Sequence, residues 1–286
     1  MYAITGITGK VGGEAARALL TKGEGVRAVL RDPKKGAEWA ALGCEVSVAD
    51  MEDAAALTEA FRGMAGVFIL PPPVFDPQPG YIEARKVVDA VVAALKAAQP
   101  LKVVHLSTIG GDATEDNLLS QQTLMEQALA GIDLPVTTVR AGWFMDNAAW
   151  DVASAREGVV YSFLQPADRK VTMVAAQDVG RTAAELLAEN WTGRRLVELE
   201  GPGRVSPNDI AEAFGQTLGH AVKVEIVARD TWEELFRSQG MQNPMPRIRM
   251  LDGFNEGWIA FRNGGAYSRK AVTDIRQVIA SLVAKA

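Results

Sequence analysis

Apolar runs of strand length alternate with helix-length amphipathic segments through the first half of the chain. That alternation predicts a parallel sheet covered by helices on both faces. The strand-like runs are Tyr2-Thr5, Val26-Leu30, Glu45-Ala49, Val67-Leu70, Lys102-Ser107 and Val136-Arg140, so six strands are expected in the sheet. Between them, Val11-Lys22 places Val11, Ala15 and Leu19 on one helical face and stops at Gly23, a residue suited to a left-handed cap. Asp53-Phe61 reads the same way and ends before Gly63, Gly80-Ala98 is long and rich in Ala and Val, and Asn117-Ala130 stops at Gly131.

After Arg140 the alternation decays, and Trp, Met, Phe, Pro and Gly become frequent, which predicts shape built around a site more than extension of the sheet. Asp178 is expected to head a helix, Val179-Glu189. A short strand near Leu196-Leu199 follows, then Ser206 as the N-cap of helix Asn208-Leu218, a strand at Val222-Val227 and a helix at Thr231-Gln239. No repeat or linker interrupts the chain. The reading is therefore α/β, a Rossmann doubly wound parallel sheet formed by residues 1-140 with 175-200, and a smaller C-terminal α+β substrate lobe formed by 141-174 with 201-286.

The first strand runs into Gly6-Ile7-Thr8-Gly9-Lys10-Val11-Gly12 and directly on into the first helix. A dinucleotide phosphate needs close approach of backbone N–H groups, so this turn calls for residues without a Cβ where the chain bends and touches the ligand. Gly6, Gly9 and Gly12 fill those places, and the helix N-terminus adds partial positive charge. A glycine triplet alone says little, but a strand before it and a helix after it are the context the motif requires.

The end of strand two selects the dinucleotide, since an acidic residue would hold the ribose of NAD and an arginine the 2′-phosphate of NADP. Arg31 stands there with Lys34 and Lys35 behind it, favouring NADP(H) over NAD(H), while Asp32 keeps a ribose contact open. Asp50, ending strand three, fits either an adenine contact or the N-cap of the next helix. Strand four ends in Leu70-Pro71-Pro72-Pro73 and strand five in Ser107-Thr108, both at carboxyl ends of strands, where open α/β sheets bind ligands.

Composition narrows the ligand. The 286 residues carry a net charge of −5 and no Lys/Arg-rich block, which argues against nucleic acid and anionic membranes and for a small soluble molecule. Cys44 is the single cysteine and His105 and His220 are the only histidines, so neither a disulfide nor a transition-metal site is expected. The longest apolar runs, such as Val87 to Leu95 with Asp89 inside it, fall short of a bilayer span, and no secretory signal pattern is read; a cytoplasmic protein is expected, with a homodimer left open.

These motifs, together with Pro33 and Lys34 after Arg31, Val139-Arg140-Ala141-Gly142-Trp143-Phe144-Met145-Asp146-Asn147, Gln177-Asp178-Val179-Gly180-Arg181 and Leu199-Glu200-Gly201-Pro202, resemble the NmrA-like, atypical short-chain dehydrogenase family. That family includes NADPH-dependent quinone reductases and triphenylmethane dye reductases. The resemblance spans nearly the whole chain and implies NADP(H) along the carboxyl edge of the sheet, with a substrate pocket between lobes. Carried over, Gly6, Thr8, Gly9 and Gly12 would hold the pyrophosphate, Arg31 the 2′-phosphate, and Leu70 and Pro71 would flank the ribose. Lys10, Val11, Lys35, Asp50, Met51, Ser107 and Gln122 complete the expected cofactor set. Trp143, Phe144 and Asn147 would border the nicotinamide pocket, with ordinary packing between lobes as the other reading of Trp143 and Phe144.

One departure bears on the reaction. Many relatives carry a lysine where this chain has Gln122, four residues before Glu126, and the Tyr-x-x-x-Lys pair of ordinary short-chain dehydrogenases is missing; Tyr81 with Arg85 comes closest, on the wrong helix. A simple ketone becomes an alkoxide on reduction and needs a positioned acid, worth about two to four powers of ten in rate. A quinone becomes a phenolate of pKa about 10, which water can protonate. Hydride transfer from NADPH to quinones or similar conjugated acceptors is thus expected, alongside two other readings: a non-catalytic redox sensor acting through a protein partner, and reduction of an imine or C=C bond. Met241, Met245, Met250, Phe254 and Trp258, scattered through Gly240 to Gly265, read either as a lid or as anchors of an irregular segment.

Overall fold

The computed structural model describes residues 1–286. Its strands are β1 (Tyr2–Ile4), β2 (Val26–Leu30), β3 (Glu45–Val48), β4 (Gly66–Ile69), β5 (Val103–Thr108), β6 (Val136–Ala141), β7 (Trp143–Phe144), β8 (Val159–Ser162), β9 (Met173–Val174), β10 (Arg194–Glu200), β11 (Lys223–Ile226) and β12 (Arg269–Lys270). Its helices are α1 (Lys10–Thr21), α2 (Gly36–Ala41), α3 (Ala54–Phe61), α4 (Ile82–Ala98), α5 (Ser120–Ala130), α6 (Val152–Arg156), α7 (Ala176–Ala188), α8 (Pro207–Leu218), α9 (Trp232–Ser238), α10 (Met245–Glu256) and α11 (Ile275–Lys285). None is long and apolar enough to cross a membrane.

The main sheet is parallel throughout and runs in the order β12-β10-β6-β5-β4-β1-β2-β3. It is the doubly wound α/β fold, with eight strands where six were expected. The two additions come from the second half: β10 pairs with β6 over six registered positions, and β12 adds two residues at the edge. The order reverses between β1 and β4. At that switch point the carboxyl ends of the strands diverge and open a crevice.

Helices α1 and α7 cover one face of the sheet through a core that includes Ile4, Leu19, Phe68 and Val179. Gly180 permits their close approach, since a Cβ there would lie 2.5 Å from the Val11 carbonyl oxygen and 2.9 Å from the Ala15 nitrogen. Helices α3, α4 and α5 cover the other face around Phe61, Ile69, Val91 and Met125. A third core, with Met145, Phe214, Phe254 and Ile279, gathers most of the elements that follow β6.

Two local expectations need correction. Helix α7 begins at Ala176, not after Asp178; Asp178 lies in the first turn, where its carboxylate accepts from the backbone nitrogen of Thr273 at 2.8 Å and from its hydroxyl at 3.0 Å. The segment expected to be irregular contains α10, which buries Ile248, Leu251 and Phe254 at three-residue spacing, so its apolar residues anchor it to the core. Cys44 is buried, and its thiol pKa is raised by that burial. Ser206 caps α8 as expected, in a reciprocal capping box with Asp209.

Candidate functional site

The glycine turn lies at the switch point and is shaped by its neighbours. Gly6 has φ +61°, a left-handed conformation that glycine adopts at no steric cost, and a Cβ there would lie 2.8 Å from Leu70 Cδ2. Thr5 fixes the end of β1 against β4: its hydroxyl donates to Phe68 O at 2.9 Å and accepts from Leu70 N at 2.8 Å. Gly12 is packed onto the turn, since a Cβ would fall 2.4 Å from Gly6 O. The first helical bond of α1 runs from Gly13 N to Gly9 O, so the amides of Lys10, Val11 and Gly12 precede it. Thr8, Gly9 and Lys10 are exposed at the mouth. This cradle fits a diphosphate: free amides, a helix N-terminus, and space that side chains would fill.

Lys10 also faces Asp146, Nζ to Oδ1 3.3 Å, while Asp146 Oδ2 accepts from Ala176 N at 2.8 Å. Asp146 thus ties the cradle to the segment after β7 and to the start of α7.

At the far end of the crevice, Arg31 is exposed beyond β2, as are Lys34 and Lys35, and none of the three is in an ion pair. Asp32 is already engaged, because it caps the short helical turn Pro33–Lys35 by accepting from Lys34 N at 3.0 Å. The capping role weighed for Asp50 belongs to Asp53, which accepts from Ala55 N and Ala56 N, each at 3.0 Å. Asp50 accepts only from Glu52 N, at 3.0 Å, and remains exposed beside the half-buried Met51.

Toward the other end, Leu70 and Pro71 are half-buried after β4, and Gln122, in the first turn of α5, lines a small cleft with Pro71, Pro72, Val74 and Gln121. Ser107 is buried below it, and its hydroxyl donates to Glu126. Glu126 is gripped by Arg140 through Nε at 3.0 Å and Nη2 at 2.7 Å, and Arg140 Nη1 lies 2.9 Å from Asp112 Oδ1. Burial pushes the Asp112 carboxyl up, but hydrogen bonds from Arg262 and Arg140 hold it below its ordinary range. This network joins β5, β6 and α5 beneath the edge. The spacing of Glu126 and Arg140 gives no local sign of it.

Asn147 is half-exposed and its carboxamide makes no hydrogen bond to the protein. Trp143 packs edge-on against Phe254, ring centroids 4.9 Å apart, and Phe144 packs on the core under α1 and α7, so both have packing roles while remaining half-buried. Tyr81 is buried, its hydroxyl directed at Asp116 Oδ1 (2.7 Å) and Asn117 O (2.8 Å), and burial foremost raises its pKa. Neither the site nor the pKa makes it an acid for the cleft.

The loop between β4 and α4 roofs this end. Asp76 accepts from the backbone nitrogens of Gln242 (2.8 Å) and Asn243 (2.7 Å), which ties the roof to the segment before α10; the connection from β5 to α5 meets the same helix separately, where Leu118 N donates to Pro246 O at 2.8 Å. At the tip, Phe75 meets Trp150 with centroids 6.4 Å apart, both side chains largely exposed. Sequence reasoning missed Asp76, Phe75 and Trp150, none of which sits in a motif.

Two ionisable groups, one buried and one half-buried, set opposing pH responses. His105 is fully buried, and that burial holds its pKa down at about 3; burial lifts Asp151 to about 7. For His105 the unfolded chain binds more protons between about pH 6.5 and 3, so stability falls as pH is lowered through that window. For Asp151 the native state holds the extra proton between about pH 3.9 and 7, so stability falls as pH is raised. Asp151→Asn removes the second slope. The gain in unfolding free energy over wild type, measured by urea titration, should therefore grow between pH 5 and pH 7, by at most about 1.4 kcal/mol per pH unit; an equal gain at both pH values would show that the protonation of Asp151 does not contribute.

The chain matches the model of the NmrA-like family over residues 2–256. It is 24% identical to an NAD(P)H azoreductase of Xenophilus azovorans over 264 residues, 90% of this chain and 85% of that protein. It is 25% identical to quinone oxidoreductase 2 of Escherichia coli (strain K12) over 243 residues, 84% of this chain and 82% of that protein. Among solved structures, the triphenylmethane reductase of Citrobacter sp. complexed with NADP(H) superposes with a TM-score of 0.80, covering 99% of this chain and 100% of that one at 19% identity. With the glycine cradle at the switch point of the sheet, the match to the family model across most of its length shows that this chain belongs to the NmrA-like family.

Proposed function

We propose that the protein is an NADPH-dependent oxidoreductase that delivers hydride to a quinone or similar conjugated small-molecule acceptor. The observation that carries this reading is the pairing of a glycine cradle for a diphosphate with a reaction end that offers amides and aromatic rings, Gln122, Asn147, Phe75 and Trp150, in place of a Tyr/Lys acid pair. The names of the relatives, an azoreductase and a quinone oxidoreductase, and of the triphenylmethane reductase agree with it.

The amides of Lys10 to Gly12 would take the pyrophosphate and Arg31, with Lys35 behind it, the 2′-phosphate; Asp50 and Met51 would border the adenine, Leu70 and Pro71 the ribose. The nicotinamide ring supplies the hydride when bound. Around it the protein's part is positioning and exclusion of water: the roof loop, held by Asp76, covers one side, and Trp143 with Asn147 borders the other. Ser107, sealed against Glu126, would act by holding the floor. A developing phenolate needs only a hydrogen-bond donor, and carboxamides can provide one.

Arg31→Ala should weaken NADPH binding by about 10- to 100-fold, the value of one or two charge-assisted hydrogen bonds, and leave NADH affinity unchanged. Titrations of both nucleotides check this; equal losses for the two would place Arg31 away from the 2′-phosphate. The function itself is tested by steady-state NADPH oxidation against a panel of quinones, azo dyes and triphenylmethane dyes. Turnover equal to the enzyme-free blank with every acceptor would refute it, and strong preference for one redox form of the nucleotide without turnover would favour a sensor.

A further inference from the structure

Beneath the proposed nicotinamide end, β5 carries a polar side chain with no assigned part. His105 is fully buried in the face of β5 that packs on α4 and α5, flanked in register by Ile69 of β4 and Thr138 of β6. Neither of its ring nitrogens has a hydrogen-bond partner. A sealed, unsatisfied donor costs roughly 1–3 kcal/mol, so an imidazole is an expensive filler where Leu or Phe would serve. The polar group against it is the carboxamide of Gln122, in a contact that falls short of full hydrogen-bond geometry.

Gln122 completes the pattern. Its Oε1 is buried and likewise without a partner, while its Nε2 is not sealed, and the residue lines the cleft with Pro71 and Pro72. The oxygen is thus on the protein side and the NH2 on the cleft side. A small approach of two orphaned groups, one a donor and one an acceptor, would satisfy both.

We infer that His105 donates its ring N–H to Oε1 of Gln122 and thereby fixes the Gln122 carboxamide with its NH2 directed into the cleft, where it donates to a ligand oxygen. Resting on the reading of the cleft as the NADPH site, this makes Gln122 a ligand-contacting donor and His105 a positioning residue. The ligand oxygen belongs either to the nicotinamide-bearing half of NADPH or to the reducible acceptor, and the two are told apart by which constant moves. A neutral imidazole suits the task, since hydrogen bonding to Oε1 selects one tautomer without bringing a charge under the nucleotide.

The test uses the intact protein and the variants Gln122→Met, His105→Leu, the double variant and His105→Gln. Gln122→Met should raise the Kd for NADPH, or lower kcat/KM for a quinone at saturating NADPH, by roughly 3- to 10-fold, the worth of one neutral hydrogen bond. His105→Leu should reproduce that loss in the same constant, the double variant should be no worse than either, and His105→Gln, which keeps a donor, should recover most of it. A readout independent of turnover is the long-range 15N–1H spectrum of the imidazoles, which resolves His105 from the exposed His220. It should show His105 in one neutral tautomer in wild type and shifted ring nitrogens in Gln122→Met, and it needs no His105 variant to fold. Unchanged ring nitrogens in Gln122→Met, or a His105→Leu protein with wild-type constants beside an impaired Gln122→Met, would overturn the inference. Should wild type reduce none of the acceptors, the functional reading fails separately, and NADPH affinity and the imidazole spectrum still decide the role of His105.

Discussion

Gly12→Ala is expected to raise the Kd for NADPH by roughly 5- to 150-fold and to lower the stability of the protein at the same time. The added Cβ would lie 2.4 Å from Gly6 O, 2.7 Å from Gly6 C and 3.0 Å from Ile7 Cα. All three are backbone atoms, so no side chain can swing aside; either α1 moves outward or the turn does. Overpacking of this kind costs typically about 1–3 kcal/mol, and a turn that must return to its original shape to grip a diphosphate passes that cost into the binding constant. Gly9→Ala provides the contrast, since its Cβ would meet only Gly6 O, at 3.3 Å, and stability should be nearly unaffected. Nucleotide titration and thermal unfolding of the two variants check the pair of expectations. A Gly12→Ala protein with wild-type affinity would mean that the turn has slack the geometry denies.

Arg140→Met should cost about 3–5 kcal/mol of folding free energy, because it leaves the Glu126 carboxylate under the sheet edge without its charged partner. Arg140 is only 4% exposed and Glu126 15%, and the Arg140 fork makes two hydrogen bonds to that one carboxylate. Replacing both, as Arg140→Met with Glu126→Leu, should recover most of the loss, since a buried ion pair is worth little more than the apolar residues that can take its place. Urea unfolding of the single and double variants measures this. A small effect of the single change would mean that water reaches Glu126.

The parts of this molecule that were legible in its sequence are those set by local chemistry. The turn from Gly6 to Gly12 needs residues without a Cβ between a strand and a helix, and both flanks announce themselves by apolar periodicity; Arg31, Asp50 and Leu70 follow because a strand end fixes where a side chain emerges. Distant pairing left no such mark. Nothing in Arg194–Glu200 says that it lies beside β6, in register Leu196 with Thr138, and the two-residue strand Arg269–Lys270 is polar. Helix α10 was hidden by the proline at its first turn and by Gly253 within it. Asp178 looked like a cap because its true partner, Thr273, is 95 residues away. Glu126 and Arg140 were each visible as single charges, but only the sheet brings β6 and α5 into reach of one another. His105 was legible only as one of two histidines; its burial and its orphaned nitrogens became apparent only with the sheet formed and Gln122 against it.

Hydride transfer from a nucleotide held in one orientation is the core of the account. Its most direct measurement is NADPH oxidation by a quinone with the cofactor deuterated at C4 on one face and then on the other. The account predicts acceptor-dependent oxidation above the enzyme-free blank, slowed by deuterium on one face only, because the cradle and the roof present a single face of the ring. Equal rates with both labelled cofactors and the blank, for every acceptor tried, would contradict it.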